Sequence, residues 1–326
     1  MAPQILVGTG TWGHNLCIDQ MREQLNNLEK LNCRRIDTAA LYPFTHPHLA
    51  EKCLGELKHD GLLIDTKAMW FNGSDNTLTF KAVQKSMNES LERLKTLNGQ
   101  GNIFYCLGPD HVTPLQEQAA AFNAVYRQGN CAGTRVCNMS PKSFEEILDI
   151  CETQGYVKPR VFQGQYNLLC RNYEKTLLPL LRKHNVAFVA YSPLAGGVLT
   201  GKVTFSHNNP ENLRGTRFEV SKDNVMGMVG RKWYDKPVFH DAIHKMATYC
   251  ETYGIDMAEA SMRWILNHSA LNGALGDGVI VGPRNQAQLD TYAAGIHNGP
   301  LPDNLVEDLN GLFEGLEDAA APILVY

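Results

Sequence analysis

The chain has 326 residues, a net charge of −4, 44% hydrophobic and 20% charged side chains. Lys and Arg are dispersed, which excludes nucleic acid or an anionic membrane as the main partner, and the apolar content suffices for one large core. No apolar stretch approaches a membrane span, and the start, Met1-Ala2-Pro3-Gln4-Ile5-Leu6-Val7, lacks the features of a signal peptide. The nine cysteines form no C-x-x-C pair and no zinc-like spacing with His. They are expected to be reduced thiols in a cytosolic protein without a metal site, with Cys137 and Cys170 able to lie near a functional site.

Short apolar runs alternate with helical stretches along the chain. The runs cover residues 5–7, 33–37, 62–67, 103–107, 133–138, 160–166, 187–191 and 279–282. Between them, Val83, Met87 and Leu91 show the i, i+4, i+8 spacing of an amphipathic helix, and Ser140-Pro141 reads as a capped helix start. Eight such units without a composition break predict an α/β fold: a (β/α)8 barrel formed as one domain over residues 1–326. The spacing is regular until residues 195–237, a long segment rich in Gly, Asn and charge, expected to lie at the catalytic face. The tail, residues 301–326, contains an amphipathic helix over 304–316 and is expected to close over the barrel or to serve a neighbouring subunit.

Gly8-Thr9-Gly10-Thr11-Trp12-Gly13 satisfies the dinucleotide fingerprint G-x-G-x-x-G after a strand, with Asp37 downstream. The context argues against it. The next helical pattern begins near Asp19, so Gly13 does not open a helix and no phosphate meets a helix N-terminus there.

Two runs end in ionisable groups: Arg34-Arg35-Ile36-Asp37-Thr38-Ala39-Ala40-Leu41-Tyr42, and Ile64-Asp65-Thr66-Lys67. Each also reads as an ordinary helix-entry turn or solvated strand end. Taken together, an acid, a phenol and an amine at the ends of successive strands suit a proton-donating site, in which the ammonium stabilises the phenolate.

The motifs GTGTWG, RRIDTAALY, DTKAMW, SLERLK, FYCLGPDH, VFQGQYN, AYSPLAGGVLTGK and GVIVGPRNQAQL follow one another in this order. Over nearly its whole length the chain therefore resembles the aldo-keto reductase superfamily, in particular the aflatoxin-aldehyde and succinic-semialdehyde reductase branch. The resemblance implies a TIM barrel that binds NADPH without a Rossmann domain. It implies that Tyr42 donates a proton to the carbonyl oxygen, that Lys67 lowers the Tyr42 pKa, and that Asp37 holds Lys67. Asn138 and Gln163 match the pair that holds the nicotinamide carboxamide, and Tyr191 the aromatic that stacks on the ring. Ser192, Pro193, Leu194 and Gly196 match the pyrophosphate lining, Arg284 the cation for the 2′-phosphate, and Gln288 a position near the adenine. A homodimer is a reasonable expectation from the same resemblance.

Two departures stand out. The family tetrad has a His at the end of strand four, where this chain has Leu107 within Tyr105-Cys106-Leu107-Gly108-Pro109-Asp110-His111. Losing one such hydrogen-bond donor is worth on the order of 3 kcal/mol, or about a hundredfold in rate. Tyr292 stands where Asn is common near the adenine. The expected function is NADPH-dependent reduction of a carbonyl, or a related unsaturated group, on a small apolar or aromatic molecule. The alternatives are redox-neutral chemistry on an NADPH-binding scaffold (isomerase, dehydratase or cyclase) and a cofactor-sensing regulatory subunit. Trp12, Trp70, Phe71, Arg217, Phe218 and Trp233 are candidate pocket walls, although core packing explains any one of the aromatics as well.

Overall fold

The computed structural model describes residues 1–13, 16–57, 61–70, 75–95, 101–206, 209–214, 216, 218–219 and 225–324. Eight strands close into a barrel in chain order: β1 (Gln4–Gly8), β2 (Arg35–Asp37), β3 (Leu63–Lys67), β4 (Gly101–Cys106), β5 (Cys131–Cys137), β6 (Val161–Gln165), β7 (Ala187–Tyr191) and β8 (Gly278–Val281). Every predicted run overlaps one of them, and the (β/α)8 expectation holds. No helix among the described residues is long and apolar enough to cross a membrane.

By internal packing the chain divides into two compact units: residues 4–164 with 176–189, and residues 1–3 with 165–175 and 190–324. In the first unit, α1 (Ile18–Asn26), α2 (Leu49–Glu56), α3 (Phe80–Leu94), α4 (Leu115–Arg127) and α5 (Pro141–Gln154) follow the first five strands, and α6 (Leu177–Lys183) precedes β7. The glycine-rich turn after β1 leads to α1 at Ile18, and Gly13 adopts φ 83° rather than starting a helix. Ser140 caps α5 by accepting from the Ser143 N–H at 3.1 Å, with Pro141 in the first turn. On α3, Val83, Met87 and Leu94 are fully buried while Leu91 is only partly covered. Val83, Met87 and Leu91 join Phe104, Cys106 and Phe122 in a core between the sheet and α3–α4, where the Phe104 and Phe122 rings lie 5.5 Å apart. Each large side chain buried there contributes roughly 1.5–3 kcal/mol.

Strand alternation divides β3 between two environments. Thr66 faces the helices, where its hydroxyl donates to Glu51 Oε1 on α2 at 2.5 Å. Asp65 and Lys67 lie on the other face, inside the barrel. Parallel pairing sets Asp37 beside Asp65, Lys67 beside Tyr105, and Tyr105 beside Arg135. Polar side chains therefore occupy a region that branched apolar residues usually fill: Arg35 Nε donates to Asp65 Oδ2 at 2.7 Å and Asn102 Nδ2 to Asp65 Oδ1 at 2.6 Å.

In the second unit the long segment after β7 forms α7 (Lys202–Phe205) and α8 (Val225–Tyr234) among short turns, followed by α9 (Pro237–Tyr253) and α10 (Met257–Asn267). After β8 come α11 (Gln286–His297), α12 (Asp303–Gly311) and α13 (Glu317–Ala320). The tail helix expected over 304–316 ends at Gly311 and continues as a tight turn over Leu312–Gly315. Arg171 anchors this region: its guanidinium lies 4.9 Å from the Trp264 ring and 5.5 Å from the Phe313 ring, and donates to Asn310 Oδ1 at 2.9 Å. The tail is thus fastened to its own unit.

Glu51 is completely buried and accepts from Arg93 Nε at 2.7 Å as well as from Thr66, tying α2, α3 and β3 together. Glu51→Ala leaves a largely buried guanidinium without its carboxylate and is expected to cost about 3 kcal/mol of stability. A fall in the urea midpoint at unchanged slope checks this; an unchanged midpoint means that the bridge contributes nothing.

Candidate active site

The first unit assembles a buried cluster at the C-terminal ends of β2 and β3. Beyond Asp37 the backbone stays paired with β3 for three residues: the Thr38 N–H donates to Asp65 O at 2.8 Å and the Ala40 N–H to Lys67 O at 3.1 Å. The chain then turns back, with the His48 N–H on Ala40 O at 2.8 Å and the Ala50 N–H on Tyr42 O at 3.1 Å. These bonds hold the Tyr42 loop against the start of α2.

Lys67 has no solvent exposure, and its ammonium commits all three N–H groups. It donates to Asp37 Oδ1 and Oδ2, each at 2.7 Å, and to the Thr38 carbonyl at 2.8 Å. Two aromatic faces flank it, Tyr42 with its centroid at 4.9 Å and Tyr105 at 5.5 Å. Burial opposes the charge on Lys67, but Asp37 and Tyr42 outweigh it, so its pKa lies above the usual value. Asp37, Tyr42 and Lys67 are thus brought together as the sequence suggested.

The electrostatics differ from the expectation in one respect. Part of the Tyr42 side chain is exposed, yet burial of the phenol group pushes its pKa up to about 12. The Lys67 ammonium pulls it down, but by less than burial and the Asp37 carboxylate raise it. Desolvation was invisible in the linear motif. Tyr42 is therefore a phenol, and not a phenolate, throughout the neutral range.

Gln163 joins the same cluster. Its Nε2 donates to Asp37 Oδ1 at 2.8 Å, and its Oε1 accepts from the Cys137 thiol at 3.6 Å. Burial holds that thiol well above its ordinary pKa, which leaves Cys137 unreactive. Asn138, at φ 54°, donates through Nδ2 to the Leu107 carbonyl at 3.1 Å. Leu107 is itself buried. Beyond it, a Cβ on Gly108 would lie 2.6 Å from the Trp70 indole, so only glycine lets that ring pack flush on the turn. Trp70 Nε1 also donates to Pro109 O at 2.8 Å. The stretch after β4 thus presents a buried leucine and a pinned indole.

Of the other candidate wall residues, Trp12 is buried with its indole N–H on Gln24 Oε1 at 3.1 Å, so it serves packing. Phe71 and Arg217 lie outside the described residues. Cys170 is buried in the turn after β6, where its N–H donates to Asn167 O at 3.0 Å.

The second unit carries the remaining candidates. After Tyr191 the backbone runs through Ser192 (φ 56°), Pro193, Leu194, Ala195 (φ 52°), Gly196 (φ 69°) and Gly197 (φ 113°). Successive left-handed residues form a concave turn, in which the Ala195 and Gly197 N–H groups donate to Ser192 O and Leu194 O at 2.9 and 2.8 Å, and a Cβ built on Gly197 meets nothing within 4 Å. Asn167 Nδ2 donates to Ser192 O at 3.0 Å and fixes this conformation. Further on, Asn285 caps α11 by accepting from the Gln288 N–H at 2.9 Å, while Gln288 Oε1 accepts from the Arg284 N–H at 2.9 Å. Burial lowers the Arg284 pKa, which marks a partly desolvated cation beside a helix N-terminus. An open glycine backbone and a cation at a helix start fit a dinucleotide with an additional phosphate.

Sequence reading missed three residues of this architecture: Tyr105, Arg135 and Gln165. Alternation along β4, β5 and β6 was the available signal. A phenol with a pKa of about 12 has one direct consequence. Spectrophotometric titration of the free protein, compared with Tyr42→Phe, is expected to show no Tyr42 ionisation below about pH 11. A phenolate already present at pH 8 would contradict this.

Comparison with known proteins agrees with the geometry. The aldo/keto reductase family model matches residues 4–314. An aldo-keto reductase of Pseudocercospora fijiensis is 30% identical over 302 residues, covering 91% of this chain and 99% of that protein. The oxidoreductase sirO of Leptosphaeria maculans is 31% identical over 333 aligned positions, covering 98% and 97%. Aflatoxin B1 aldehyde reductase member 2 of Rattus norvegicus is 30% identical over 317 residues, covering 95% and 84%. With an eight-stranded barrel and a match over almost its entire length, the chain belongs to the aldo/keto reductase family, and with it to the oxidoreductases that act on carbonyl groups.

Proposed function

We propose that the protein is an NADPH-dependent reductase of a small, apolar or aromatic aldehyde or ketone, working in the cytosol as a single catalytic domain. The carrying observation is the buried Asp37–Lys67 pair beneath the Tyr42 ring. The relatives that are aflatoxin B1 aldehyde reductases support an aldehyde as substrate. Leu107 and Trp70 support an apolar one, and nine free cysteines accord with a reducing compartment.

In this reading the Ser192–Gly197 backbone and Arg284 hold the diphosphate and the 2′-phosphate, Asn138 and Gln163 orient the carboxamide, Tyr191 packs on the ring, and Gln288 shapes the start of α11. Bound NADPH would supply the hydride. As the carbonyl carbon receives it, the C=O π pair moves to oxygen, and that oxygen takes the proton of Tyr42 Oη to complete the alcohol. A pKa of about 12 keeps this proton in place at neutral pH, and a developing alkoxide is basic enough to remove it. Lys67 stabilises the phenolate that remains, and Asp37 keeps the ammonium charged and in position. Solvent then returns the proton. Leu107 supplies no donor to the carbonyl oxygen, so Tyr42 carries the whole of that task.

The test is to mix the purified protein with NADPH and a panel of aldehydes and quinones, following the absorbance of the reduced nicotinamide. Oxidation is expected. Tyr42→Phe is expected to cut kcat about a thousandfold while NADPH affinity stays unchanged; retained turnover would remove Tyr42 from the mechanism. Leu107 also favours a second reading, in which the cofactor is bound and the chemistry is redox-neutral or the role regulatory. Tight NADPH binding without oxidation would select it. Leu107→His is expected to raise kcat for aldehydes about a hundredfold by restoring the missing donor. An unchanged kcat would mean that another group already orients the carbonyl.

A further inference from the structure

Strand alternation places Gln163 and Gln165 on the same face of β6. Their amides differ in what they have left to offer. Both ends of the Gln163 amide are engaged, by Asp37 and Cys137. Gln165 is 1% exposed, and its Nε2 donates to Tyr234 Oη on α8. Its Oε1 has no partner among the described residues. A buried acceptor left without a donor is unfavourable, so its persistence calls for an explanation.

Gln165 lines a small cavity with Ser192, Gly196, Phe218, Trp233 and Tyr234. The space holds about one water-sized group. A neighbouring network keeps its walls in place. Tyr234 Oη also accepts from Asn167 Nδ2 at 3.2 Å, and the same nitrogen reaches Ser192 O at 3.0 Å. Asn167 Oδ1 accepts from the Leu169 N–H at 3.0 Å, which fixes the direction of that amide. On the far side, Arg231 Nη1 donates to the carbonyls of Phe218 and Glu219 at 2.9 and 3.1 Å. Gln165, whose amide oxygen is unpaired, thus lines a fixed recess beside the left-handed turn that begins at Ser192.

We infer that Gln165 is a cofactor-binding residue whose Oε1 accepts a hydrogen bond from an O–H or N–H group on the nicotinamide half of the dinucleotide. This rests on the reading that the protein binds NADPH. The recess is lined by Ser192 and Gly196, assigned to the diphosphate, and Ser192 follows Tyr191, assigned to the nicotinamide ring, so a donor entering it comes from the part of the molecule between the two, on its nicotinamide half. A ribose hydroxyl and the carboxamide nitrogen share the required donor chemistry. Tyr234 is a positioning residue that orients the Gln165 amide.

The experiment measures dissociation constants of NADPH and of 2′,5′-ADP, which lacks the nicotinamide half, on wild type, Gln165→Met and Tyr234→Phe. Gln165→Met is expected to weaken NADPH about tenfold and to leave 2′,5′-ADP unchanged, the latter showing an intact fold. Tyr234→Phe, which keeps the acceptor, is expected to weaken NADPH by no more than about threefold. Unchanged NADPH affinity in Gln165→Met overturns the inference and leaves the recess to a water molecule. Equal weakening of both ligands, or a Tyr234→Phe loss as large as that of Gln165→Met, overturns it in favour of general damage to the loop. Failure of the wild type to bind either probe overturns the cofactor reading itself and this inference with it.

Discussion

A full charge on Lys67, taken completely out of water, is the constraint around which the first unit is arranged. An ammonium in that position is tolerated only when every proton it carries finds an acceptor. Asp37 supplies two and the Thr38 carbonyl the third. Those acceptors occupy their places because β2 and β3 run parallel in a register that continues past the strand ends, through the bonds at Thr38 and Ala40. Electrostatic need and strand pairing thus specify the same geometry. The two rings around the ammonium add a weaker, directional contribution and link it to Tyr42.

This arrangement also explains the state of the phenol. The family resemblance implies that Lys67 acidifies Tyr42. Here its charge is largely consumed by Asp37, and the remaining field on Tyr42 is smaller than the desolvation of the phenol. The result is a phenol that keeps its proton throughout the neutral range. Leu107 is buried, and the Trp70 indole is pinned on the turn at Gly108 and Pro109.

The barrel was legible because its signals are local and repeated. Every strand appears as an apolar run, and the helices between them follow the 3.6-residue period, as Val83 and Met87 on α3 show. The failure of the glycine motif near Gly13 was legible for the same reason, since the absence of a following helix is itself a local feature. The tail was less so: α12 stops at Gly311 because the chain turns to place Phe313 against Arg171, a contact between segments far apart in sequence. Asp37, Tyr42 and Lys67 could be named from motifs, but the occupation of both ends of the Gln163 amide could not, as it arises across two strands.

The sequence by itself determined the eight strand–helix units and the positions of the acid, the phenol and the amine at strand ends. These follow from periodicity and residue identity, which are properties of short windows. Only the tertiary structure decided that Tyr42 remains protonated, that Trp12 packs rather than lines a site, and that Gln165 rather than Gln163 carries an unpaired amide oxygen. Each of these depends on desolvation and on partners tens of residues away. Burial is a property of the folded surface, and no linear pattern records it.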